Sequence, residues 1–270
     1  MDLRLSAAEA GQGSLLLAEV RSAGPLEEVK SEWDGHTILF WQEKARRGGL
    51  IYRVLVGADL EQTPGQYNLG VGAKTQPGEA VGCNVEVTVR RGRFATERLQ
   101  VEQEFVQPSA EQLARANEER ERLLTLYATA TPEKMWQGPF RVPLDGVKRG
   151  SNFGRRRILN GQPRSPHGGA DFPAAAGTPV HAAQRGRVVL AEALFFSGNT
   201  VVIDHGLGMY TLYGHLKAIS VQTGEMVGAG GELGQVGATG RVTGPHLHWG
   251  LTVNQARVNP LEVVKLLASP

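Results

Sequence analysis

Residues 244–250 have the sequence GPHLHWG, in which two histidines are separated by a single residue. The segment 246–253 is apolar and predicts a strand, on which the side chains of His246 and His248 project from the same face. Their Cα atoms would then lie about 6.5 Å apart. This arrangement favours a metal ion or a shared proton-transfer task. The alternative is a pair of half-exposed histidines on a strand edge.

A second motif lies at residues 165–172, which read SPHGGADF and place His167 four positions before Asp171. That spacing would align the two side chains on a helix, but the two glycines between them and Pro173 argue against a helix here. In a bent strand the glycines let both groups converge, and their nitrogen and oxygen donors suit zinc. Residues 213–216, YGHL, add His215. Spacing alone does not say which three groups would bind a metal.

The sequence around these motifs predicts a compact, highly curved β-fold. The chain has 270 residues, of which 41% are hydrophobic, and residues 135–270 hold 22 of its 35 glycines and six of its seven histidines. Short apolar segments bounded by glycine predict strands at 186–191, 200–203, 210–213 and 246–253. Of the remaining histidines, His181 and His205 are expected in the core or behind the site, and His36 is expected to be structural.

The first half predicts a different module. Strand-like segments at 14–20, 36–41, 51–56, 66–73 and 83–90 are separated by Gly48-Gly49, Pro64-Gly65 and Pro77-Gly78, as in a small immunoglobulin-like β-sandwich over residues 1–107. A linker follows at 108–134, with a helix that begins at a capping box of Ser109 and Gln112. Its apolar stripe is Leu113, Ala116, Leu123, Leu124 and Tyr127. The fold class is therefore mainly β, with a Gly-rich β-domain at 135–270.

Charge and composition restrict the compartment and the partners. Residues 1–134 carry 16 basic and 20 acidic side chains, whereas residues 135–270 carry 13 and 7, so the basic half favours anionic partners. Cys83 is the single cysteine and allows no internal disulfide. No apolar run reaches 18 residues, so no membrane span is expected. The first 21 residues lack a signal-peptide pattern, so either the protein is not secreted or a signal peptide has been removed from this sequence.

Together, these motifs resemble the lysostaphin-type, LytM-like zinc endopeptidases, which cut peptidoglycan cross-links. The resemblance covers about 143–261 and rests on the content and order of six segments, at 151–156, 161–172, 177–180, 202–206, 213–216 and 243–248. It implies one zinc ion held by His167, Asp171 and His248, with His215 and His246 as the catalytic pair. Water at the fourth zinc position would attack the peptide carbonyl, assisted by these two histidines. All five positions carry the expected residue, which disfavours the inactive members of the family.

The expected function is therefore that of an extracytoplasmic metalloendopeptidase acting on peptidoglycan peptides, without nucleic acid and as a monomer. Arg156, Arg164 and Tyr213 are candidates for substrate binding, although surface solubility explains the arginines equally well. Two alternatives are a non-catalytic regulator of a cell-wall amidase and a wall-binding module. The sequence leaves open which bond is cut, which histidine is the base, and whether the first module gates the groove or acts as a spacer.

Overall fold

The computed structural model describes residues 1–44, 49–76, 78–147, 150 and 152–268. Three positions used above, Gly48, Pro77 and Ser151, lie outside the described residues. The strands of the first half are β1 (Asp2–Leu5), β2 (Glu9–Gly11), β3 (Leu15–Ser22), β4 (Leu26–Trp33), β5 (His36–Leu39), β6 (Trp41–Lys44), β7 (Leu50–Gly57), β8 (Gly65–Thr75), β9 (Ala80–Arg90) and β10 (Thr96–Leu99). The predicted mainly β class is confirmed.

Two sheets form the first module. One has the strand order β1-β3-β7-β6 and the other the order β2-β9-β8-β4-β5. Alternating apolar residues from both sheets, among them Ala18 and Val54 in the first and Ile38, Leu69 and Val87 in the second, share one core. Two layers that bury their apolar faces against each other form a sandwich. The immunoglobulin-like connectivity and the three domain boundaries stay predictions.

A short connecting region follows β10. It contains a 3-10 helix at Gln103–Phe105 and the helix α1 at Ala110–Ala128. Ser109 caps α1 as predicted, since its hydroxyl accepts from the backbone of Gln112 at 3.2 Å and the Gln112 side chain accepts from the Ser109 backbone at 2.8 Å.

The apolar stripe predicted for α1 is only partly correct. Leu123 and Tyr127 pack against a cluster that includes Tyr210, with the two tyrosine rings 5.4 Å apart. Leu113 and Leu124, however, are 48% and 45% exposed. One flank of α1 rests on the second half of the chain, and the flank that carries these two leucines faces solvent.

The second half is built on one large antiparallel sheet. Its elements are β11 (Arg156–Leu159), β12 (Gln162–Arg164), β13 (Gly169–Pro173), β14 (Pro179–His181), β15 (Gly186–Leu194), β16 (Gly198–Gly206), β17 (Met209–Ile219), β18 (Met226–Val227), β19 (Glu232–Val236), β20 (His246–Val253), β21 (Ala256–Val258) and the helix α2 (Pro260–Leu266). The main strand order is β13-β20-β17-β16-β15-β18. Large side chains such as Phe172, Leu247 and Trp249 are fully buried against it.

The two halves meet through specific polar contacts. Asp59 of the first module accepts two hydrogen bonds from the Arg257 guanidinium, at 2.8 and 3.1 Å. Asn254, in the turn after β20, donates to the carbonyl of Leu55 at 3.0 Å. In addition, β10 runs parallel to β11 and pairs Glu97 with Arg157, so a strand from the first 107 residues joins a small sheet of the second half. No helix among the described residues has the length and apolarity of a membrane span.

A polar chain crosses the core of the second half at His205. This side chain is fully buried, with Nδ1 2.9 Å from the carbonyl of Arg185 and Nε2 2.8 Å from the hydroxyl of Thr211. Burial lowers the pKa of His205 to about 4, so the folded protein holds a neutral imidazole at pH 7.

Because of His205, the free energy of unfolding should decrease as the pH falls from about 6.5 to about 4. In this window the unfolded chain binds a proton at the histidine and the folded chain does not, so protons favour unfolding. The interval between the two pKa values corresponds to about 3 kcal/mol. Urea unfolding of the wild type and His205→Gln, measured from pH 7 to pH 4, isolates this contribution because other titrating groups remain in both. Equal losses of stability in the two proteins would contradict it.

Candidate metal centre

The pairing of β13 with β20 brings together two parts of the sequence that lie 77 residues apart. Asp171 stands directly opposite His248 in this antiparallel pair, and directly opposed residues project from the same face of a sheet. His167 lies two residues before β13, and its backbone exchanges hydrogen bonds with Gly154 and Arg155. The sheet register therefore places all three side chains at one point.

Three donor atoms converge there. Asp171 Oδ1 is 3.1 Å from His167 Nε2 and 2.9 Å from His248 Nδ1, and the two nitrogens are 2.8 Å apart. His167 and Asp171 are only 2% and 9% exposed. Among the described residues, these three form the group of histidine, cysteine or acidic side chains with the geometry to hold a metal ion.

The neighbours of this cluster fix its orientation. His167 Nδ1 is 3.1 Å from the carbonyl oxygen of Asn152, to which its N–H donates, so the lone pair of Nε2 faces Asp171. The Asn152 side chain donates to Asp171 Oδ2 at 2.8 Å and accepts from the Asp171 backbone at 3.2 Å. Arg157 approaches the same Oδ2 at 3.4 Å. One carboxylate oxygen is thus held from outside while the other faces the histidines.

Protonation favours metal binding as well. Burial lowers the pKa of His167 to about 4. Burial alone would raise the pKa of Asp171, but its hydrogen bonds with His167 and His248 hold that pKa well below the usual range. The cluster thus presents the neutral imidazole of His167 and an ionised carboxylate at pH 7, which are the forms that coordinate metals.

The donor set fits zinc. Two ring nitrogens and a carboxylate oxygen this close together repel one another unless a proton or a metal cation lies among them. Nitrogen and oxygen donors of these types bind zinc, and three protein ligands leave the fourth tetrahedral position open. Gly169 makes room for the arrangement, because a Cβ there would lie 2.7 Å from the His248 ring and from the carbonyl oxygen of Trp249.

His215 and His246 lie beside the three converging donors. Their ring centroids are 4.9 Å apart, and the His215 ring is 5.8 Å from that of His248. His246 Nε2 is 3.7 Å from Asp171 Oδ1. The structure therefore brings together all five residues that the resemblance implied, whose individual roles stay predictions.

Both of these histidines are oriented by backbone carbonyls. His215 Nδ1 is 2.8 Å from the oxygen of Thr239, and His246 Nδ1 is 2.8 Å from the oxygen of Gly244. Donation from each Nδ1–H leaves each Nε2 as a proton acceptor. Burial, followed by the charges of His248 and His246, lowers the pKa of His215 to about 3, so this imidazole is neutral at pH 7.

The site opens into a groove with a volume of about 300 Å³. Asp171, His215 and His246 line one part of it. Glu97 and Leu99 of β10 line another, so the first 107 residues contribute to the walls of the groove. The structure therefore shows that this region does more than space the two halves at this point.

The three sequence-based candidates for substrate binding have different outcomes. Tyr213 is wrong: its side chain is fully buried, and its hydroxyl accepts from the backbone of Ala183 at 2.9 Å. Arg156 is exposed but lies outside the groove lining, whereas the next residue, Arg157, lines it. The Arg164 guanidinium donates to the carbonyl of Val106 at 2.6 Å, which gives it a structural role.

Comparison with known proteins agrees with this geometry. Residues 165–260 match the sequence profile of peptidase family M23. A crystal structure of a Pseudomonas aeruginosa protein described as an M23 peptidase is 30% identical, with a TM-score of 0.64 over 94% of both chains. The chain belongs to peptidase family M23.

Two further relatives support the assignment to M23. The catalytic domain of the antimicrobial peptidase lysostaphin from Staphylococcus simulans is 30% identical, with a TM-score of 0.36 over 48% of this chain and 89% of that domain. The peptidoglycan DD-endopeptidase ShyA of Vibrio cholerae is 43% identical over 131 residues, which are 48% of this M23 chain. The chain spans 30% of the length of ShyA. The predicted resemblance to lysostaphin-type peptidases is confirmed at the level of the family.

Proposed function

We propose that this chain is a zinc-dependent endopeptidase that hydrolyses peptide cross-links of peptidoglycan. The observation that supports it most is the convergence of three metal donors with two oriented histidines at the wall of one groove. The names of the relatives point in the same direction, because ShyA is a peptidoglycan DD-endopeptidase and lysostaphin is an antimicrobial peptidase. Such a substrate places the site of action outside the cytoplasmic membrane.

In this proposal His167, Asp171 and His248 hold the metal. When bound there, zinc supplies a Lewis acid that polarises the scissile carbonyl and acidifies water. The histidine pair performs the proton transfers. With Nδ1 anchored on a carbonyl, the Nε2 atoms of His215 and His246 are positioned to accept a proton from the attacking water and to return it to the leaving amine. His246 is the better candidate for the base, since it lies at 3.7 Å from Asp171 Oδ1 and is the less buried of the two.

Digestion of purified peptidoglycan tests the proposal. The protein should release cleaved cross-linked peptides, identified by mass spectrometry; chelation of the metal should stop the release, and about one equivalent of zinc should restore it. Binding of the wall without any release, with or without zinc, would support a wall-binding module instead. Release only after addition of an amidase would support a regulator. Either result overturns the proposal.

A further inference from the structure

Three arginines lie close together in the groove, and two of them have their donors engaged. Arg157 faces two carboxylates, since its Nη2 is 3.4 Å from Asp171 and its Nε is 3.8 Å from Glu97. Arg164 donates to uncharged oxygens, the carbonyl of Val106 at 2.6 Å and the amide of Gln162 at 2.8 Å. Both guanidinium groups therefore serve contacts within the protein.

Arg241 differs from these two. Its backbone N–H donates to the carbonyl of Phe196 at 2.9 Å, and its guanidinium carbon lies 4.5 Å from the centroid of the Phe196 ring. This stacking fixes the plane of the guanidinium. In the part of the chain that the structure describes, no carboxylate lies within ion-pair distance of Arg241 and no acceptor lies within hydrogen-bond distance of its side chain.

The surroundings of Arg241 make this lack of a partner costly. Burial lowers the pKa of Arg241 to about 10, and the charges of Arg157 and Arg164 lower it further in the same direction. A half-buried cation beside two like charges is poorly stabilised unless an anion approaches it. Arg241 lines the same groove as Asp171 and His246, so an anion that binds it lies alongside the reacting groups.

We infer that Arg241 anchors a free carboxylate of the peptide substrate through its unoccupied guanidinium donors. The inference rests on the proposed function and specifies its substrate: a peptide that carries a carboxylate close to the bond that is cleaved. Guanidinium and carboxylate form paired, charge-assisted hydrogen bonds. The rest of the lining near Arg241 is apolar, with Leu99, Leu159 and Val242, and accommodates a short aliphatic residue beside the carboxylate.

A pair of substrates isolates this contact. One is a cross-linked muropeptide with free carboxylates, and the other is the same muropeptide after carbodiimide-mediated amidation with ammonia. For the wild type, amidation should lower kcat/KM roughly 10- to 100-fold, mainly through KM, which is the usual effect of losing a hydrogen-bonded charge pair. Arg241→Gln should lower kcat/KM for the free muropeptide by a similar factor and change the amidated one less than about threefold. Arg241→Lys should retain part of the preference, because it keeps the charge and loses the fork geometry.

Arg98→Gln is the matched control, because Arg98 is exposed on β10 between the groove-lining residues Glu97 and Leu99 and belongs to the opposite face of the strand. It should leave both kinetic constants unchanged, and zinc content should be equal in every variant. Equal losses on both muropeptides in Arg241→Gln would indicate a structural role and overturn the inference.

Calorimetry separates this inference from the proposed function. Binding of the two muropeptides to the zinc-loaded wild type and to Arg241→Gln needs no hydrolysis. A preference for the free carboxylate that Arg241→Gln abolishes supports the anchor even in a protein that cleaves neither peptide. Cleavage of both muropeptides with equal affinity retains the proposed function and overturns the anchor.

Discussion

Asp171→Ala is expected to remove most of the bound zinc and to reduce peptidoglycan hydrolysis to background. Asp171 contributes a carboxylate oxygen within 3.1 Å of both histidine nitrogens, so its loss deletes one of three donors and leaves two imidazoles facing each other. Substitutions of residues that merely orient metal ligands cost 10- to 100-fold in affinity, so the loss of a ligand should cost more than about 100-fold. Competition with a chromophoric chelator measures the affinity, and elemental analysis measures the zinc content.

Two further variants exclude an unfolded protein as the cause. Asp171→Asn keeps the shape of the side chain and removes the charge, so it should also bind zinc weakly while melting close to the wild type. Asp145→Ala is the control: this aspartate lies in the same half, is 72% exposed, and pairs with Arg141 at 2.8 Å. It should retain zinc and activity. Full zinc occupancy in Asp171→Ala, or in the double variant His167→Ala, His248→Ala, would mean that the ligands are assigned wrongly.

The donor cluster could be predicted because its geometry is largely local. The alternation of a strand puts His246 and His248 on one face, and the glycines after His167 let the chain bend towards Asp171. The resemblance then supplied the one long-range relation that spacing cannot give, the pairing of residues near 171 with residues near 248. The structure shows that pairing as an antiparallel register with Asp171 opposite His248.

The groove walls could not be predicted because they depend on register and on contacts between distant segments. On a strand, a shift of one residue moves a side chain to the other face, which is why Arg157 and not Arg156 lines the groove. Asn152 orients the cluster from a backbone with a φ of 65°, where asparagine is tolerated, but nothing local marks its contact with Asp171. The pairing of β10 with β11 joins segments about 60 residues apart and has no signal in either one.

The second large effect is expected at the histidine pair, where zinc should stay bound while the chemistry is lost. His215→Ala and His246→Ala should each lower kcat by about 10²- to 10⁴-fold, the usual contribution of a general acid or base. Neither residue is needed to complete the group of three donors formed by His167, Asp171 and His248, so the zinc content should remain close to one per chain. Elemental analysis and initial rates on the same muropeptide measure the two quantities side by side.

His36→Ala provides the control for this pair, because His36 lies in the first module, where its ring contacts Gln255 at 2.9 Å and is remote in function from the groove. It should keep both zinc and turnover. The double variant His215→Ala, His246→Ala should lose little more than the more damaging single variant, because residues that act in one proton-transfer step are not additive. Near-normal turnover in both single variants would refute the catalytic pair, and loss of zinc from either would make that histidine a ligand. The contrast with Asp171→Ala separates the two groups, since five side chains that touch one another in the fold should then fall into three that hold the metal and two that move the proton.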